Sequence, residues 1–159
     1  VSLTSERLIA GLATAPPSPL YFLSGEEPLA RLEALDAIRA AARRAGAEER
    51  VMLTAGTGFD WGQLEAELTA RSLFGGRRWV ELDLPTGRPG TEGAKALVRA
   101  AGLADPDCLL VVLTGRLDKE QRAARWVQAL TAAGVSVECR VPERARLPEW
   151  VRERARRAG

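Results

Sequence analysis

Cys108-Leu109-Leu110-Val111-Val112-Leu113 is six apolar residues without interruption. So short and uniformly apolar a run reads as a strand covered on both faces, which is how strands of parallel sheets sit in α/β proteins. Four other strand-like runs accompany it: Leu20–Leu23, Arg50–Thr54, Arg78–Leu84 and Val135–Cys139. Between them lie segments of helical character, Pro28–Ala45, Trp61–Arg71, Glu92–Leu103 and Asp118–Leu130. Strands that alternate with helices of this length build βαβ units. The expected fold is therefore α/β, a five-stranded parallel sheet with helices on both faces.

The helices carry their own start and stop signals. In Pro28–Ala45, Leu29, Leu32, Leu35 and Ile38 recur every three residues beside helix-forming alanines, arginines gather towards the end, and Gly46 closes it. Asp60 is a natural N-cap for Trp61–Arg71, whose inner stripe holds Leu64 and Leu68. A short helix over Ser5–Leu12 precedes the proline-rich Ala15–Pro19. Pro142 marks a domain boundary: residues 1–141 form the α/β domain, and 142–159, with the basic amphipathic helix Leu147–Arg157, open a second.

Several function classes are excluded by what is missing. The chain has no histidine, so the commonest general base and metal ligand are absent, along with every Ser-His or Cys-His nucleophile. Cys108 and Cys139 each lie in an apolar run without Cys-x-x-Cys spacing and read as buried thiols. No metal or cofactor is expected. No run approaches the roughly 20 apolar residues of a membrane span, and no signal segment opens the chain, so the expected location is cytoplasmic and no membrane partner is expected.

The first strand-to-helix turn, Ser24-Gly25-Glu26-Glu27-Pro28-Leu29-Ala30-Arg31-Leu32, stands where a phosphate-binding loop would be. Counted from Gly25, the second glycine is Ala30, the lysine is Arg31 and the magnesium-holding hydroxyl is Leu32. Glu26 and Glu27 would repel a triphosphate. Asp83, late in the third strand, reads as an ordinary strand-end carboxylate once the loop has lost its phosphate ligands. Trp61, Trp79, Trp126 and Trp150 sit in amphipathic patterns and are expected in the core. Arg77 and Arg78 are expected on a solvated face. Residues 142–159 hold six arginines against three glutamates, a basic end that reads first as a solvated helix face.

One feature has two readings. Leu73 and Phe74 follow a polar helix end and precede Gly75-Gly76. Apolar residues in such a turn either fold back to close the helix end or wait for a partner.

The chain resembles the delta subunit of bacterial DNA polymerase III, part of the sliding-clamp loader, from about Leu20 to Gly159. The marks are Leu23-Ser24-Gly25-Glu26-Glu27-Pro28-Leu29, Gly58-Phe59-Asp60-Trp61, Ser72-Leu73-Phe74 and Glu92-Gly93-Ala94-Lys95-Ala96-Leu97. Leu117-Asp118-Lys119, Trp126-Val127-Gln128-Ala129-Leu130 and Pro142–Val151 continue them in order. The resemblance implies an AAA+-like fold, related to P-loop NTPases, without a functional nucleotide site. It also implies that Leu73 and Phe74, with Ser72 beside them, insert into a hydrophobic cleft of the ring-shaped clamp and that the subunit opens one clamp interface. Thr69 occupies the position where many members carry glutamine. The implied partners are the sliding clamp, the other loader subunits in the full-length protein and, through the assembled loader, DNA. The 142–159 helix becomes the first helix of a truncated lid domain. Two rival readings stay open at this stage: a nucleotide-binding enzyme with a divergent phosphate loop, and a nucleic-acid module using the arginine-rich end.

Overall fold

The computed structural model describes residues 2–141 and 144–159. In chain order the elements are β1 (Leu3–Thr4), α1 (Ser5–Leu12), β2 (Leu20–Ser24), α2 (Pro28–Arg44), β3 (Ala47–Thr54) and α3 (Trp61–Thr69). There follow β4 (Arg77–Leu84), α4 (Gly90–Leu103), β5 (Cys108–Thr114), α5 (Lys119–Ala123), α6 (Arg125–Ala133), β6 (Val135–Glu138) and α7 (Leu147–Ala158). The sheet is parallel throughout, in the order β1-β6-β2-β5-β4-β3. It has six strands, not five. The additional one is the two-residue β1, paired to β6 through Leu3 and Val137 and too short to show an alternation. The domain boundary expected at Pro142 lies outside the described residues.

All seven residues of β5 are buried, because helices cover both of its faces. On one face α3, α4 and α6 enclose Phe22, Leu53, Leu82, Leu110 and Val112 with Leu64, Leu97 and Leu130. On the other, α1 and α2 enclose Tyr21, Leu23, Val111 and Val137. The sheet-facing stripe of α2 is Ala30, Ala34, Ile38 and Ala41. Leu29 and Leu32 lie outside it and are exposed. A three-residue spacing drifts around a 3.6-residue helix, and the small alanines are what allow close approach to the sheet. The expected single helix over Asp118–Leu130 is two, broken at Ala124, whose ψ of 143° is extended. Asp118 and Gln121 form a capping box at the start of α5, which buries nothing. The break lets α6 turn Trp126 inward, edge-on to Phe22 at 5.9 Å.

Trp79 and Trp126 are core residues. Trp61 is half-buried against Phe59, 5.0 Å away in a T-shaped contact. Trp150 departs from expectation: it is only half-buried, on a helix that has no buried residue. Its ring lies instead under the Arg154 guanidinium at 3.5 Å. Cys108 and Cys139 are buried free thiols, and burial pushes Cys139 up to about 11, leaving an inert thiol.

Glu81, almost fully buried on β4, locks α2 to the sheet. Its carboxylate accepts from Arg39 Nε at 2.7 Å, Arg39 Nη2 at 2.8 Å and the Trp79 indole at 3.0 Å. Burial disfavours its charge, but those donors outweigh burial and hold it below the ordinary carboxylate range. A folded-state value below the unfolded one gives stability that is present above about pH 4.3 and is lost as pH falls through the lowered value. Acid titration of the melting temperature checks this: the parent should lose stability below about pH 4.3, and Glu81→Gln, less stable at neutral pH, should lose less. Equal slopes would mean that Glu81 is not the titrating lock.

Candidate functional site

Two places invite function, and a parallel sheet puts them at opposite ends. Strand-to-helix turns lie at the carboxyl ends of the strands and helix-to-strand turns at the amino ends. The β2–α2 turn is at the first end and the α3–β4 turn, with Leu73 and Phe74, at the second.

At the carboxyl end, Gly25 holds φ +128°, and a Cβ there would sit 1.9 Å from the Cys139 carbonyl oxygen. The Gly25 amide donates to Gly115 O at 3.1 Å, and the Glu27 amide to Cys139 O at 3.4 Å. The Glu27 carboxylate turns onto the start of α2 and accepts from the amides of Leu29, at 3.3 Å, and Ala30. Free amides at a helix start are what a phosphate seeks. Here the chain's own carboxylate occupies them. Arg31 points across to Asp83, Nη2 to Oδ1 3.7 Å, so the residues at the lysine position and at the strand-end carboxylate face one another. Among the described residues no cluster of three or more metal-ligating side chains exists, and no helix is long and apolar enough to cross a membrane.

At the amino end, α3 stops at Thr69, two residues before the expected Arg71, and Ala70 is extended. The Ser72 carbonyl accepts from Gly75 N at 3.5 Å, which puts Leu73 and Phe74 at the two central positions of a four-residue turn. Gly75 leaves it at φ +75°, a region glycine enters without steric cost. Leu73 is 89% exposed and Phe74 80%. Neither folds back to close the helix, so the core reading of this pair is excluded.

The turn is anchored from below. Glu49, on β3, pairs across the sheet with Arg78 on β4. Its Oε1 accepts from the Ser72 hydroxyl at 2.6 Å and the Leu73 amide at 3.1 Å, and its Oε2 accepts from Arg78 Nε at 3.0 Å. The Ser72 hydroxyl first, with Arg78 and the Leu73 amide adding, keeps the Glu49 carboxyl below its ordinary range. The Ser72 oxygen in turn accepts from Phe74 N at 3.2 Å. Arg78 completes the frame: Nη1 donates to the carbonyls of Glu67 at 2.8 Å and Ala70 at 3.1 Å, and Nη2 to the Glu67 carboxylate at 2.9 Å. Those carbonyls end α3, and a guanidinium there satisfies acceptors the helix leaves open.

Arg78 was expected on a solvated face, and it is 6% exposed. The four acceptor groups around it explain the difference, since a buried cation needs partners. Sequence reasoning missed Glu49 as well, because the strand was expected to begin at Arg50, whereas β3 starts at Ala47 with a register shift before Glu49. Nothing in Glu48-Glu49-Arg50 distinguishes the residue that turns inward. Thr69 is exposed at the last position of α3, with its hydroxyl donating back to Glu65 O at 2.9 Å and Ala66 O at 3.3 Å. At the basic end, Arg154 pairs with Glu33 of α2 at 2.9 Å, and Arg156 and Arg157 pair with Glu153. Among the described residues, Arg154, Arg156 and Arg157 of its six arginines are thus engaged by carboxylates.

The family described as "DNA polymerase III, delta subunit" matches residues 21–140. The DNA polymerase III subunit delta of Escherichia coli is 37% identical over 136 residues, which cover 86% of this chain and 40% of that protein. The Haemophilus influenzae protein of the same name is 26% identical over 143 residues, covering 88% and 41%. The chain thus spans about two-fifths of the length of the curated relatives it matches. Among solved structures, the Bacillus subtilis DNA clamp loader delta protein superposes with a TM-score of 0.66 at 19% identity, covering 86% of this chain and 42% of that one. That likeness is one of fold, and it agrees with a parallel sheet covered by helices on both faces.

Proposed function

Since this chain belongs to the DNA polymerase III delta-subunit family, we propose that it is the clamp-gripping part of a clamp-loader subunit. Leu73 and Phe74 seat in a hydrophobic cleft of the ring-shaped sliding clamp, and Ser72 and Thr69 border the contact. The observation that carries this reading is the pair of large apolar side chains held outward at the apex of an anchored turn. A buried frame beneath and no apolar cover above is the arrangement of a docking anchor.

No covalent chemistry is needed. A clamp closed by modest interfaces opens when a ligand binds its distorted form more tightly than its relaxed one, and the shift equals that difference in affinity. The subunit is non-catalytic on this reading. The self-capped start of α2 and the Arg31–Asp83 contact support a phosphate-loop position that takes no ATP. The helix α7 is the first helix of a second domain, which accords with none of its residues being buried. The other loader subunits are partners of the full-length protein, DNA is met through the assembled loader, and the place of work is the cytoplasmic replisome.

Calorimetric titration tests the proposal in two arms. Saturable heat is expected with the cognate clamp, and none with Mg·ATP. Saturable Mg·ATP binding that Arg31→Ala removes would restore the enzyme reading, and absence of any clamp binding would remove this one.

A further inference from the structure

We infer that Glu49 and Arg78 are positioning residues for partner binding: they fix the Ser72–Gly75 turn in the one conformation that presents both apolar side chains together. The inference deepens the clamp-gripping reading and rests on it for its binding arm.

A four-residue surface turn with two exposed apolar side chains has no packing reason to hold one shape. Left to itself it would sample many, some of them laying Leu73 or Phe74 back against the domain, and each lost conformer would be charged against binding. Here the turn's polar groups are consumed from below. One carboxylate, Glu49, takes the Ser72 hydroxyl and the Leu73 amide on a single oxygen. Its other oxygen is held by a buried arginine, so the carboxylate itself cannot swing. The same arginine ties down the carbonyls of Glu67 and Ala70, which fixes where α3 ends and therefore where the turn begins. Ser72 then passes the constraint onward by accepting from the Phe74 amide. The chain of contacts runs from the sheet to the apex without a gap. Neither Glu49 nor Arg78 is apolar or among the residues that meet the partner, so their effect on binding must pass through the turn's shape.

The test uses the 159-residue chain with Glu49→Ala and Glu49→Gln, read in two ways. Trypsin cleavage after the exposed Arg71 reports turn opening, with cleavage after the exposed Arg116, in the loop after β5 at the far end of the sheet, as the reference site. In Glu49→Ala the cleavage rate at Arg71 is expected to rise about tenfold relative to Arg116, and affinity for the cognate clamp to fall about tenfold, about 1.4 kcal/mol. Glu49→Gln keeps an acceptor for Ser72 and Leu73 and should stay within about threefold of the parent in both. Equal acceleration at both sites would mean general destabilisation and overturn the inference. So would parental affinity in Glu49→Ala, or a glutamine variant no better than alanine. If the parent does not bind the clamp at all, the proposed function fails, and the cleavage ratio still decides whether Glu49 holds the turn.

Discussion

Replacing Leu73 and Phe74 together with alanine is expected to abolish measurable clamp binding while the melting temperature stays within about 2 °C of the parent. The two halves of that expectation come from the same fact. Side chains 89% and 80% exposed contribute almost nothing to their own domain, and surface substitutions of this kind fall within about 0.5 kcal/mol. Seated in a partner's cleft, each would gain about 1.5–3 kcal/mol from burial. Losing both removes on the order of 3–6 kcal/mol, a hundredfold to more than ten-thousandfold in affinity. Equilibrium binding and thermal melts of the same preparations check it. A fall in the melting temperature that matches the loss of binding would return the pair to the core.

The second large effect is at Gly25, and it concerns scaffold rather than partner. Gly25→Ala should destabilise the domain by more than about 3 kcal/mol, lowering the melting temperature by roughly 6–12 °C. Its backbone holds φ +128°, and the new methyl would fall 1.9 Å from the Cys139 carbonyl oxygen and 2.7 Å from its carbon. Neither atom can step aside, because Cys139 N donates to Ser24 O at 2.7 Å and Cys139 O accepts from Glu27. The glycine at the head of the phosphate-loop position is thus required by the meeting of β2 and β6 with α2, with no phosphate invoked. Gly102→Ala, in the last turn of α4 with nothing within 4 Å of the added carbon, is the matched control and should stabilise by about 0.4–1 kcal/mol. Denaturant titration distinguishes the two. A near-neutral Gly25→Ala would mean that the β2–α2 turn has room the structure does not show.

How far the sequence carries can be judged residue by residue. The buried strand around Val111 was legible because burial on both faces forces an uninterrupted apolar run, and the alternation of such runs with helices is enough for a parallel sheet. The exposed pair at 73–74 was legible as a choice between core and partner. Resemblance leaned towards the partner, and only three-dimensional placement decides exposure. The supports were not legible. Glu49 and Arg78 stand 29 positions apart and meet because two parallel strands put them opposite one another; in sequence each is one charge among many. Ala124 offers no turn signal, since the break between α5 and α6 is made by where Trp126 must pack. Likewise the sheet-facing stripe of α2 is hidden, because alanines mark a close-packed face as readily as a merely helical one.

Of all measurements, fluorine NMR on the chain labelled with fluorophenylalanine is the most direct test of what grips what. The sequence has three phenylalanines, so three resonances are expected: Phe22 in the core, Phe59 half-buried against Trp61, and Phe74 in water. On addition of the cognate clamp, the Phe74 resonance alone should shift and lose its sensitivity to a soluble paramagnetic agent. A complex that forms while Phe74 remains as open to that agent as before would contradict the account.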